Sequence, residues 1–220
     1  MLVFSLAAHE FAHGYAALKQ GDTTAQEQGR LTLNPIPHID LWLTIILPAL
    51  LWFGSGGAFT FGGAKPVQVR PDRYRHFVRG DIIVSSAGVL TNFLIAICCV
   101  VIFVLLGLAA RAVPSGVDVF SILQRMAVWG VLLNLMLGVF NLIPIPPLDG
   151  SHLLYHALPL GWREGFRRFQ RFGFLPLLAM MLLYPKGIQF LLAPAYAGMS
   201  WFLRVARPFA AGTQWNIFPS

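Results

Sequence analysis

The stretch "LAAHEFAHGYAAL", residues 6–18, places two histidines and a glutamate inside an apolar run close to the start of the chain. Each would be costly in hydrocarbon, and ionisable side chains within membrane segments mark working sites by default. On a helix, positions i and i+4 share a face, so His9 and His13 point the same way and Glu10 projects beside them. His-Glu-x-x-His on a helix is a zinc-binding pattern, in which two imidazoles hold the metal and the glutamate acts as general base on a water. With 6 histidines among 220 residues, and three glutamates, chance would produce the pattern about 0.002 times. The bland alternative is a helix whose polar side chains pair with neighbouring helices.

Composition places that stretch in a membrane protein. The chain is 56% hydrophobic and 11% charged, with a mean hydropathy of +0.66, whereas soluble domains carry roughly 25% charged residues. Apolar runs long enough for ~30 Å of hydrocarbon occur near 1–20, 39–54, 81–112 and 125–145. A further one, 173–205, is interrupted by Pro176, Pro185, Lys186 and Pro194 and reads as one long segment or two short ones. The first run lacks a basic leader region and holds charge at its centre, so it is not read as a cleaved signal. Cys98 and Cys99, adjacent in an apolar run, read as packing residues. The expected fold is therefore an all-α polytopic membrane protein of about five to six transmembrane segments.

The net charge of +7 does not point to nucleic acid. The basic residues flank the apolar runs. Loop 65–80 carries Lys65, Arg70, Arg73, Arg75 and Arg79, and loop 150–172 carries Arg163, Arg167, Arg168 and Arg171. The connections 19–38 and 111–125 hold only Lys19, Arg30, Arg111 and Arg125. The positive-inside rule puts the first two loops in the cytoplasm, and His9 then lies on the cytoplasmic side, at moderate depth. Residues following 145 arrive on that side too. No repeat or linker divides the chain, so 1–220 reads as a single membrane domain, with a catalytic core over about 1–155 and a membrane tail over 173–205. Small size and topology suggest a prokaryotic plasma membrane.

Two stretches are not membrane helix. "GSGGAFTFGGAKPVQVR" (54–70) alternates apolar and small residues around turn glycines, which predicts a small membrane-associated β-hairpin. Its edge, including Thr60 and Phe61, would hold unwound substrate by strand addition. "NLIPIPPLDG" (141–150) has three prolines in four positions, which end the incoming helix. Irregular backbone at membrane depth must be buried in protein or line a wet cavity. Asp149 on that segment is either a third zinc ligand, meeting His9 and His13 at comparable depth, or the N-cap of the following "SHLLYHAL".

The pairing of "HEFAH" with the distant "NLIPIPPLDG" resembles the site-2 protease family of intramembrane zinc metalloproteases. The resemblance implies that His9, His13 and Asp149 bind one zinc ion (Zn2+) per chain and that Glu10 is the catalytic base. It implies that Asn141 supports the site or the substrate backbone. "GVLTNF" (88–93) matches a third family element, with Val89 where proline is usual, and gives Asn92 a role toward substrate or oxyanion. "NPIPHIDLW" (34–42) and "GGAKPV" (62–67) also look like family stretches, so most of 1–155 is covered. The PDZ or CBS modules common in the family are not expected here.

The implied activity is hydrolysis of a peptide bond in or near the membrane segment of a protein substrate, within the lipid bilayer and with the site open to the cytoplasm. A zinc transporter and an inactive segment-binding relative are the other readings. Elsewhere, His152 and His156 form a second i, i+4 pair, read as a polar helix face near headgroups, with a second metal as the alternative. His38 and Asp40 read as local caps. "WREGFRRFQRF" (162–172) mixes arginines and aromatics as a segment lying on anionic lipid would.

Overall fold

Packing of the N-terminal helix, α1 (Leu2–Gln20), is inverted relative to a soluble protein. Ser5, Ala7, Ala8, His9, His13, Gly14 and Ala17 face inward, while Leu2, Val3, Phe4 and Tyr15 are 44–48% exposed. Small and polar groups inside, with large apolar groups outside, suit a helix whose surroundings are as apolar as leucine. These coordinates come from a computed structural model that describes residues 1–54, 56–57 and 62–211. The helix stops at Gly21, whose φ of +110° is the left-handed conformation that glycine adopts without strain. The Gly21 and Asp22 amides return to the carbonyls of Leu18 and Ala17.

The chain forms two compact units. The first comprises Met1–Thr91 and His152–Phe166. It holds α1, the short α2 (Thr24–Glu27), a π-helical turn (Leu41–Ile46) continued by α3 (Leu47–Gly54), and the start of α4 (Phe77–Ala112). Asp40 caps the π turn, its carboxylate accepting from the amides of Trp42 and Leu43 at 2.9 and 2.8 Å, as a local cap should. His38 is buried, with Nε2 3.0 Å from the Thr32 carbonyl.

The expected hairpin is corrected. Among the described residues there is no strand, and Gly62–Arg70 runs without a strand partner. Its amides go elsewhere: Gly63 to the Leu43 carbonyl, Lys65 to the His38 carbonyl, Val67 to Glu10 and Arg70 to Asp22. Pro66 has no amide to give. With four donors spent on α1, its C-terminal turn and the residues around the π turn, no ladder can form on that edge. Thr60 and Phe61 lie outside the described residues.

The second unit comprises Asn92–Ser151 and Arg167–Ser220. It contains the remainder of α4, then α5 (Val117–Asn141), the first residues of α6 (Asp149–Ala157), the end of α7 (Leu160–Gln170), α8 (Leu175–Leu183) and α9 (Pro185–Ala206). Along α4, Leu90, Leu94, Ile97, Val101, Leu105 and Leu108 form an exposed stripe at spacings of three and four. Asn92, Ala96, Cys99 and Phe103 form the buried one. Phe103 meets Phe202 of α9 edge to face at 5.5 Å, over Val128, Val131 and Met199. Interhelical amides add to this. Asn92 Nδ2 donates to Asn134 Oδ1 at 3.0 Å, and Gln124 Nε2 donates to the carbonyls of Phe103 and Phe209 at 2.8 Å. Such bonds are worth about 0.6–2 kcal/mol each in a membrane interior.

Among the described residues, two helices, Phe77–Ala112 and Pro114–Asn141, are long and apolar enough to cross a membrane. α8 and α9 together make a third if a pair bent by 96° counts as one span. Run 1–20 is a single helix diluted by its ionisable side chains, and Leu41–Gly54 is short.

Candidate metal centre

His9 and His13 lie one turn apart on the buried face of α1, 5% and 9% exposed. His13 Nδ1 is 2.7 Å from the Val84 carbonyl. A carbonyl can only accept, so Nδ1 carries the proton and the lone pair of this imidazole sits on Nε2. That Nε2 is 2.9 Å from His9 Nε2, with the two rings edge to face at 4.6 Å. Two imidazole nitrogens thus converge on one point.

The wall opposite that point is backbone. Gly88, one turn beyond Val84 on α4, has no side chain, and a Cβ there would lie 2.5 Å from His13 Nε2 and 2.6 Å from His9 Nε2. Only glycine leaves the space in front of both nitrogens open. A cradle that a methyl group would fill, faced by two imidazole nitrogens, fits a zinc ion.

Glu10, half-buried beside the pair, accepts from the Val67 amide through Oε2 at 2.7 Å. The segment expected to be a strand therefore acts as a strap on the carboxylate. Its far end is tied at Asp22, which accepts from the Thr24 side chain and amide and from the Arg70 amide. Burial pushes the Asp22 carboxyl up, but these hydrogen bonds and the nearby Arg73 charge together hold it below its ordinary value. Burial, with the charges of Asp81 and Asp22, raises the phenol of Tyr74, so this side chain stays neutral.

Asp149 belongs to the second unit, in the first turn of α6 and half-buried. The turn before it contains a cis Pro146–Pro147 bond and is packed by Ile143, Leu148 and Leu177. A Cβ at Gly150 would collide with the Leu142 carbonyl, so glycine is what lets α6 start against the end of α5. Asn141 turns its amide back onto the Leu137 carbonyl at 2.9 Å. Asn92 is fully buried and engaged with Asn134, which in turn donates to the Gly130 carbonyl.

In the second histidine pair, read as a polar helix face, His152 is exposed and the His156 side chain is turned inward. His156 is buried, its Nε2 2.7 Å from Asp81 Oδ2, with His152 Nδ1 3.4 Å from the same oxygen. Together they compensate a buried carboxylate at the start of α4. Sequence reasoning missed Asp81, Asn134 and the wall formed by Gly88. An acidic residue opening an apolar run was the signal for the first, and small residues on one face of α4 for the last.

Residues 109–184 match the profile of peptidase family M50. Over 185 residues, 82% of this chain and 78% of the relative, the sequence is 36% identical to "Putative zinc metalloprotease YwhC" of Bacillus subtilis. A Mycolicibacterium smegmatis protein of the same description, Rip2, is 32% identical over 82% of this chain and 64% of its own length. "Zinc metalloprotease RasP" of Geobacillus kaustophilus is 35% identical over 32% of this chain and 18% of its own. No solved structure is a significant match.

Proposed function

Because the chain belongs to peptidase family M50, the site-2 protease family, and is a zinc metalloprotease, we propose that it cleaves a peptide bond in or near a transmembrane segment of another protein. His9, His13 and Asp149 hold one zinc per chain in this reading. The observation that carries it is the convergence of two imidazole Nε2 atoms on the space kept open by Gly88, with Glu10 tethered beside them.

When bound, zinc supplies Lewis-acid chemistry, lowering the pKa of a water and polarising the scissile carbonyl. Glu10 takes the proton of the attacking water and returns it to the departing amine. The Val67 amide restricts that carboxylate to one orientation, which keeps it within reach of the water at every turnover. The Val84 carbonyl keeps His13 in the tautomer that presents Nε2. Asn141 supports the segment that bears Asp149, and Asn92 acts toward the substrate or the oxyanion.

A helical substrate shields its own carbonyls and must be unwound. Thr60 and Phe61 contact the extended form. Five to six segments cross a prokaryotic plasma membrane, with His9 toward the cytoplasm. Arg70, Arg73, Arg75 and Arg79 favour that orientation.

Glu10→Gln tests the reaction, since it keeps the shape of the site and removes the base. The variant should hold as much zinc as the parent and lose about 10²-fold or more in turnover. It should also accumulate uncleaved membrane substrate, identifiable by mass spectrometry. Unchanged cleavage would refute the mechanism. Asp149→Ala should strip zinc where His152→Ala does not, and full metal retention by Asp149→Ala would remove it from the ligand set.

A further inference from the structure

We infer that α7 is a docking surface for anionic phospholipid headgroups, lying in the plane of the membrane surface. The inference is independent of the peptidase reading.

Along α7, Trp162, Phe166 and Phe169 recur at i, i+4 and i+7 and form one apolar stripe. Arg167 and Arg168 lie on the opposite side, and Arg171 follows in the turn just past the helix. No residue of this helix is buried, and Trp162 is 72% exposed. Phe166 in that stripe is half-buried while Trp162 and Phe169 remain exposed, and an amphipathic helix with exposed aromatics needs an apolar environment on one side and water on the other.

Its neighbours say which environment that is. α8 follows within a few residues, with Leu175, Leu182 and Leu183 exposed at 62–83% in a helix of almost wholly apolar sequence. α7 is thus followed along the chain by a helix suited to hydrocarbon. Residues 162–172 hold four arginines and one glutamate, a net charge of +3. Arg163 is tied down, donating to the carbonyls of Leu158 and His156 and lying 5.7 Å over the Tyr155 ring. That anchor fixes the rotation of the first turn, so the cationic side is presented in a defined direction. Arg167, Arg168 and Arg171 are exposed, and guanidinium groups recognise phosphate by planar, paired hydrogen bonds. An aromatic stripe level with the headgroups, with arginines beside it, matches a surface of anionic phosphodiesters.

Amide hydrogen exchange over 160–172 tests this on the whole protein in lipid nanodiscs. One set is pure phosphatidylcholine; the other has part of it replaced by phosphatidylglycerol. Each arginine near such a surface is worth about fivefold in the docked population, so the three together reach roughly hundredfold. Exchange should be slower in the anionic discs by an order of magnitude or more. The difference should shrink in about 0.5 M salt, where screening shortens to a few ångström. It should vanish in R167Q/R168Q/R171Q. Exchange in α4 and α5 must match the parent, and the salt series on the unaltered protein needs no variant at all. Equal exchange in both lipids, a salt-insensitive difference, or equal slowing by inorganic phosphate over phosphatidylcholine would overturn the inference.

Discussion

Gly88→Ala places one methyl group against the imidazole pair. The added Cβ would sit 2.5 Å from His13 Nε2, 2.5 Å from His9 Cε1 and 2.6 Å from His9 Nε2, whereas uncrowded contacts lie near 3.5–4.0 Å. The rings must retreat by about 1 Å. His13 cannot do so freely, because its Nδ1 is held at 2.7 Å by the Val84 carbonyl of the same helix that carries the methyl group. Either that bond lengthens or the two Nε2 atoms separate, and both spoil the donor geometry. Loss of a group that orients a metal ligand costs typically 10–100-fold in affinity, and a 1 Å misplacement costs about 10²-fold in turnover. The substitution should meanwhile help the bare helix, since alanine is better than glycine in a helix interior by about 1 kcal/mol. Zinc affinity, measured against a competing chelator, should fall 10–100-fold, and because crowding in a packed site costs about 1–3 kcal/mol the metal-free protein should melt no higher than its parent. Gly161→Ala, at a glycine with nothing within 4 Å of the added carbon, should change neither. Parental zinc affinity in Gly88→Ala would refute the reasoning that α4 walls the two nitrogens.

Other outcomes follow from the same geometry. Val67→Pro removes the amide that donates to Glu10 Oε2. A hydrogen bond to a charged group is worth about 1.5–3 kcal/mol, so turnover should drop roughly 10–100-fold with zinc content unchanged; parental turnover would show that the strap is dispensable. Asp22→Asn should destabilise the 70–73 turn by about 2 kcal/mol, read as faster exchange of the Arg70 amide. Because the folded carboxyl titrates below its ordinary 3.8, this contribution is full above that value and is lost as pH falls through the folded pKa. A difference that persists at lower pH would contradict the charge as its source. Gln124→Leu removes the partners of the Phe209 carbonyl and the Ala211 amide and should cost about 1–3 kcal/mol of stability, measured by thermal melting. Cysteines at positions 75 and 168 should label from the cytoplasm and one at 116 only from outside; the reverse would invert the orientation.

The placement of His9, Glu10 and His13 on one helix was legible because helical periodicity is a local property, fully present in five consecutive residues. The same holds for the prolines that end α5 and for the amphipathic pattern of α7. The two long apolar helices were equally plain, since span length needs no partner to define it. The hairpin was not. Alternating residues in 54–70 describe a chain able to pair, but which acceptors take its amides depends on what packs beside it. Here those acceptors are the carbonyls of His38 and Leu43 and the carboxylates of Glu10 and Asp22. The pairings of Asp81 with His156 and of Asn92 with Asn134 join positions 75 and 42 residues apart. A buried polar group must find a hydrogen bond somewhere in the fold, and no pattern of residue types states where. The glycine at 88 was visible in the sequence, but the reason for it is an approach between α1 and α4 that exists only once both helices are packed.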